Sequence, residues 1–292
     1  MIEVKTIWLC AQLNFKKWIV TPRIYSLAIV VFSFSLWMFS WISDYAAAVN
    51  TSVSPWVFPY LMSVPVLFPI FGCLTTLLFC DAPFMDSHTP YLMIRMSKRD
   101  WAIGQLLYIV LAAFVYTAFF MVMSMLVLIP HVQFSSDWGA VLKTIAFNRN
   151  SLNKYGITPF VEIGAPVITL FSASSAMLIS FGMFWLVSIF IGVLIFCFQV
   201  VIGRLSGLIA AGIFTFISYF SVYVGKMAYG RIIYYVSPLN WSSMFYLDWG
   251  GTGQLPSPVY AVSVLVIAIL FMSVVSVIVF CRRDMNIQEG RS

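Results

Sequence analysis

SASSAMLISFGMFWLVSIFIGVLIFCFQ, residues Ser172–Gln199, runs its whole length without one Asp, Glu, Lys, Arg or His. A helix rises about 1.5 Å per residue, so this run is long enough to cross a hydrocarbon core of about 30 Å. Backbone amides find no water in that core, and a helix satisfies them within the segment itself. Five other runs share the property: Ile24–Ser43, Val57–Cys80, Trp101–Ile129, Leu205–Gly225 and Val259–Cys281. Together the six predict an all-α integral membrane protein with six transmembrane helices.

The composition agrees, with 62% hydrophobic and 9% charged residues and a mean hydropathy of +0.97. Soluble chains carry about 25% charged residues. The segments between the runs are too short for a separate soluble domain, so residues 1–292 read as one membrane domain. Orientation follows from the cations. With the N-terminus in the cytoplasm, Lys5, Lys16, Lys17, Arg23, Arg95, Lys98, Arg99, Arg204, Arg282, Arg283 and Arg291 all fall inside. The opposite loops hold Lys143, Arg149, Lys154, Lys226 and Arg231 over more sequence, so both termini are expected to be cytoplasmic. The net charge of +6 then faces anionic lipid, and nucleic acid is not needed to explain it.

Ala46-Ala47-Ala48 after the first run imitates a signal-peptide cleavage site, but the run is longer than the apolar region of a signal peptide and is expected to remain as helix one. The exterior loops contain no cysteine for a disulfide, and Cys73 and Cys80 lack accompanying His or carboxylate ligands for a metal. Asn50-Thr51-Ser52 and Asn240-Trp241-Ser242 fit the glycosylation pattern on the exterior side.

Ahead of the first run, Val4, Ile7, Trp8, Ala11, Phe15, Trp18 and Ile19 recur at steps of three and four, opposite Lys5, Gln12 and Lys16. Residues 1–23 are therefore expected to form an amphipathic interfacial helix, ended by Pro22, which serves either as an anchor or to transmit force. Pro59, Pro65 and Pro69 should bend or partly unwind the second run, as a hinge or as a tolerated kink. In Asp81–Asp100, Thr89 and Pro90 can start a short helix over Tyr91 to Met96, and Ser97 with Asp100 forms a capping box for the third run. The exterior loop Pro130–Phe171 is too long for a simple turn and should carry its own structure. Its Trp138, Val141, Leu142 and Ile145 mark one helical face capped by Ser135 or Ser136, which forms a lid or lies on the bilayer. Gly203 and Gly207, and the row Ser172, Ala176, Ser180, allow close helix approach, within one subunit rather than between two.

After the fifth run, Tyr234–Trp249 is aromatic and broken by Pro238, which predicts short re-entrant helices between spans five and six. Tyr235, Pro238, Trp241 and Phe245 are the candidates for an outer gate on that segment. Gly250-Gly251-Thr252-Gly253 lacks the Lys-Ser/Thr of a phosphate loop and reads as a turn. The runs hold no ionisable group for ion coupling, and the chain has no Walker A, His-Glu-x-x-His or Gly-x-Ser-x-Gly motif. No catalytic, cofactor or metal residue is expected in this chain. Active transport would take its energy from another polypeptide, while a gradient-driven carrier or channel and a non-transporting sensor or scaffold stay open.

The order of parts, with Ile94-Arg95-Met96-Ser97-Lys98-Arg99-Asp100-Trp101 entering span three and Ser237-Pro238-Leu239-Asn240-Trp241 after span five, resembles the ABC-2 type permease family, the membrane half of type V ABC exporters. The resemblance covers nearly the whole chain, although the long loop after span three departs from the family's short connection. It implies a single permease domain in a bacterial cytoplasmic membrane, paired with a second permease as a homo- or heterodimer. Two ATP-binding cassette subunits below would carry ATP and Mg. It further implies that the loop after span two is a coupling helix, with Phe84, Tyr91, Leu92, Ile94 and Arg95 as candidate contacts to the ATPase.

Overall fold

The computed structural model describes residues 4–84, 96–148, 150–203 and 205–282. Helix α1 spans Val4–Trp18, α2 Pro22–Val49, α3 Leu67–Phe79, α4 Lys98–Leu126, α5 Gly139–Phe147, α6 Ala165–Leu170, α7 Ala173–Val201, α8 Ser206–Phe220 and α9 Pro258–Arg282. Among the described residues the one extended pairing is an isolated parallel bridge between Val53 and Val132. The fold is all-α, and α2, α4, α7, α9 and the extended α8 are long and apolar enough to cross a membrane.

Local chemistry accounts for the boundaries. Pro22 stands in the first turn of α2, where its missing N–H has no partner to lose. Asn50 closes the same helix in the left-handed region at φ 54, a conformation that asparagine tolerates better than most residues. Ser97 caps α4 as the sequence predicts. Its hydroxyl accepts the Asp100 N–H at 3.0 Å and donates to the Asp100 carboxylate at 2.7 Å. Ser172 caps α7 by accepting the Ser175 N–H. Beyond Phe220, α8 continues through a π turn at Ser221–Gly225 and further helical turns, carrying its apolar stretch to Val236.

Val57–Cys80 corrects the expectation of six long helices. It forms a 3-10 turn at Phe58–Tyr60 and irregular turns, followed by α3. Helix α3 has 13 residues. That length falls short of a hydrocarbon core. Pro59 and Pro65 interrupt the backbone ladder, whereas Pro69 falls in the first turn of α3, where no donor is required. The bend expected from these prolines is a full break.

Exposed backbone polar groups at membrane depth would be costly, and this break is covered by protein. Val53 and Phe58–Met62 are buried beneath the 130–171 segment. Ser54 donates its hydroxyl to the Trp138 carbonyl, Trp56 Nε1 donates to Ser135 O at 2.8 Å, and Ser63 Oγ accepts the Glu162 N–H at 3.1 Å. Trp138, Val141, Leu142 and Ile145 are buried as one face, as predicted. The helix starts at Gly139 rather than at a serine cap, because the Asp137 carboxylate takes the Trp138 N–H and pairs with Lys143. Lys143 first, and then the Trp138 amide, hold Asp137 below the usual carboxylate range.

Helix α7 is the hub. Of its most apolar 18 residues 78% are buried inside the chain, against 17% of those of α9, and it packs on α3, α4, α8 and α9. The bundle around it is filled by rings: Phe184 lies 4.1 Å from Phe71, 5.5 Å from Phe120 and 5.8 Å from Phe58 between ring centroids, and all four are buried. A Cβ at Gly207 would stand 2.4 Å from Ile195 O, so that glycine serves close packing of α8 on α7 within the chain. Gly203 stands in the connecting turn at φ 155.

Candidate functional site

Two clusters of buried polar side chains mark opposite ends of the bundle. The first lies where α1 meets α4. Cys10 and Asn14 sit one turn apart on α1, and Trp101, Gly104, Gln105 and Tyr108 form the facing stripe on α4. Asn14 Nδ2 donates to Gln105 Oε1 at 2.5 Å, and Gln105 Nε2 donates to Cys10 Sγ at 3.5 Å. Trp18 Nε1 donates to Tyr108 OH at 2.8 Å. A Cβ at Gly104 would lie 2.7 Å from that of Cys10, so glycine lets the helices touch. Burial pushes the Cys10 thiol up to about 11, with Lys17 partly offsetting the rise, so its proton stays available for the Trp101 carbonyl at 3.9 Å.

These contacts pair position 10 with 101, 14 with 105 and 18 with 108, so α1 advances along the first turns of α4 in the same direction. The buried face is Ile7, Cys10, Ala11 and Asn14, while Val4, Trp8 and Ile19 of the expected apolar stripe are exposed. The Asn14–Gln105 bond makes part of the polar side a contact surface, which rotates the helix away from its purely apolar stripe.

The end of α3 is tied into the same corner. Lys17 Nζ donates to Phe84 O at 3.2 Å, and the Phe84 ring meets Tyr108 edge-on at 4.9 Å. Arg23 pairs with Asp81 at 2.6 Å and donates to Cys80 Sγ at 2.7 Å. Phe84 adopts φ 60 and its ring is buried within this chain. Of the candidate coupling contacts it alone is described; Tyr91, Leu92, Ile94, Arg95 and the short helix expected over Tyr91 to Met96 lie outside the described residues, Met96 excepted.

The second cluster joins the π turn of α8 to the aromatic segment. That segment is a chain of 3-10 turns, Gly230–Val236, Pro238–Ser242 and Met244–Tyr246. Asn240, with no exposed surface, donates through Nδ2 to Ser221 Oγ at 2.7 Å and accepts the Ser218 hydroxyl. Ser221 Oγ also reaches Ser218 O at 2.8 Å and Ser237 Oγ at 3.4 Å. The π turn matters here. Its wider ring shifts the backbone register after Phe220, and π turns recur at functional sites in helices. Asn240 is buried and doubly bonded, so its amide is committed to internal contacts rather than presented at the surface for a glycan.

The outer-gate candidates occupy different walls. Pro238 and Trp241 are buried, and Pro238–Ser242 touches α3, α7, α8 and α9. Trp241 Nε1 donates to Tyr234 O at 2.8 Å. Tyr235 faces α9, donating to Leu255 O at 3.1 Å and accepting through its carbonyl from Tyr260 OH at 3.2 Å. Phe245 is half-buried against Tyr60, at 6.2 Å between ring centroids. Gly250–Gly253 is a turn: the Asp248 carboxylate accepts the Gly250 N–H at 3.1 Å, the Gly253 N–H at 2.6 Å and the Thr252 hydroxyl at 3.1 Å.

Asn14, Gln105, Ser218 and Ser221 were not among the residues the sequence singled out. The available signal was the isolated amide: a lone Gln inside an uncharged run needs a partner, since an unbonded amide in hydrocarbon is costly. Both clusters join elements of this chain by hydrogen bonding and ring contact. No protein family model, no curated protein and no solved structure matches this chain.

Proposed function

We propose that this chain is the transmembrane permease subunit of an ATP-driven ABC transporter of the ABC-2 type. It exports an amphipathic or hydrophobic substrate and is energised by a separate ATP-binding subunit that carries ATP and Mg. Both termini lie in the cytoplasm, α1 runs beside the cytoplasmic end of α4, and the membrane is the bacterial cytoplasmic membrane. The observation that carries the proposal is the corner at Phe84. The loop expected to meet the motor leaves the described chain where Lys17, Tyr108, Arg23 and Asp81 tie α1, α3 and α4 together. A displacement applied there moves three elements at once.

Two further features support the reading. The uncharged runs offer no carboxylate or histidine to couple an ion gradient, and the carboxylates of α2 and α4, Asp44 and Asp100, stand outside those runs near the helix ends. The interior around Phe184 is filled by rings, which fits a reading in which the path runs along a surface shared with a second permease. Native purification tests the proposal: an ATP-binding subunit is expected to accompany the chain, and replacing Tyr91 or Arg95 should lower ATPase coupling while insertion is retained. Transport by the chain alone in liposomes, abolished by an ionophore and indifferent to ATP, would establish a gradient-driven carrier instead.

A further inference from the structure

We propose that the groove between α4 and α9, at the bundle end that holds Arg99 and Arg282, is a binding site for one anionic phospholipid. An acyl chain lies along the groove, and the phosphate sits between the two guanidinium groups.

The groove encloses about 530 Å³ and is walled by Ile103 and Leu106 of α4 and by Val277 and Cys281 of α9, among others, with Arg99 and Arg282 closing one end. Arg99 to Leu106 and Ser273 to Arg282 correspond to about 10–14 Å of helix, close to the depth of one hydrocarbon leaflet, about 15 Å. Beside it Trp101 and Phe280, stacked at 4.7 Å, clamp the two helices together, so the groove has a fixed wall.

The groove wall is almost wholly apolar, and its two cations stand at one end. Both arginines are exposed, and among the described residues neither forms an ion pair. Asp100, the acidic residue adjacent to Arg99, is buried and bonded to Ser97. Two cations with no ion-pair partner among the described residues, at the mouth of an apolar groove, match a molecule with a phosphate at one end and hydrocarbon at the other. Guanidinium groups bind phosphate oxygens in a fork, and their apolar stems can lie along the tail. Free phosphate would leave the apolar wall unused, so the occupant is a lipid.

Native mass spectrometry of the full chain, released from nanodiscs containing equal phosphatidylglycerol and phosphatidylcholine of matched chain length, tests this. One phosphatidylglycerol should be retained per chain in preference to phosphatidylcholine, and excess inorganic phosphate should not displace it. Replacing both arginines, Arg99→Gln with Arg282→Gln, should lower that preference about thirtyfold, from the roughly fivefold that each basic residue contributes near an anionic surface. Arg231→Gln, an exposed arginine elsewhere, should leave it unchanged. Ile103→Trp fills the groove with both charges intact and should abolish retention, so the test survives poor insertion of the double variant. Equal retention of the two lipids, displacement by phosphate, or full retention in Ile103→Trp would overturn the proposal.

Discussion

At one end of the bundle Asn14, Gln105 and Cys10 join two regular helices, and at the other Asn240, Ser218, Ser221 and Ser237 join a π turn to a run of 3-10 turns. In the first seam the backbone satisfies itself, so the side-chain bonds set how α1 is rotated and where along α4 it sits. In the second the backbone is irregular, and the Asn240 amide holds two elements that have no regular ladder between them. The α1–α4 seam, inner in the proposed orientation, is thus a register device on a stiff body, and the Asn240 seam, outer in the same orientation, is a latch.

The largest effect should come from breaking the latch. Asn240→Leu keeps the volume and removes the donor to Ser221 and the acceptor for Ser218, and is expected to destabilise the protein by about 2–3 kcal/mol through unpaired buried groups. Thermal unfolding in detergent measures the loss, and hydrogen exchange should show faster opening of residues 229–249 with no change over 101–108. Uniform loosening at both ends would merge the two seams into one.

Gly104→Ala strikes the inner seam through shape. Its Cβ would meet Cys10 Cβ at 2.7 Å and Sγ at 2.9 Å, so α1 must shift. Overpacking of this kind costs about 1–3 kcal/mol, and limited proteolysis should release α1 while the outer segment stays protected. A smaller effect is expected from Asn14→Leu and Gln105→Leu in a double-mutant cycle, with a coupling energy of about 0.6–1.7 kcal/mol, the range of hydrogen bonds between membrane helices. Additive losses would mean that the amide pair does not set the register.

The smallest effect concerns pH. The folded state holds the Cys10 proton up to about 11, above the 9.0 of a free thiol, so the unfolded chain releases it first as pH rises. The contribution of that group is therefore complete below pH 9.0 and is lost as pH climbs toward about 11, where α1 should loosen and Cys10 become open to alkylation. Cys10→Ser should remove this alkaline step in α1 exchange.

The two seams and the elements between them also differ in how far they can be read from the sequence. The long helices follow from uncharged length, and the Ser97–Asp100 cap and the α5 face follow from spacing. The broken span was legible only as a bend: Pro59 and Pro65 signal an interruption, but the protein that covers the break, the segment around Trp138, lies far along the chain. The inner seam was half legible, since periodicity located α1 but could not place Asn14 against Gln105. The outer seam was the least legible, because a π turn has no composition of its own and Ser218 and Ser221 look like any small residues in a membrane helix. The segment around Tyr91 and Arg95 lies outside the described residues, so the proposed motor contact rests on the corner that precedes it.

If the chain is the proposed permease, motion that enters at the Phe84 corner should be expressed at the Asn240 latch, the least regular part of the bundle. Hydrogen exchange on the natively purified complex, compared with ADP and with a non-hydrolysable ATP analogue, tests it most directly. The account predicts unchanged protection over residues 101–108, where α1 and α4 travel as one body, and altered protection over 229–249. Altered protection of the α1–α4 seam with a silent outer segment would contradict it, as would indifference of both regions to nucleotide.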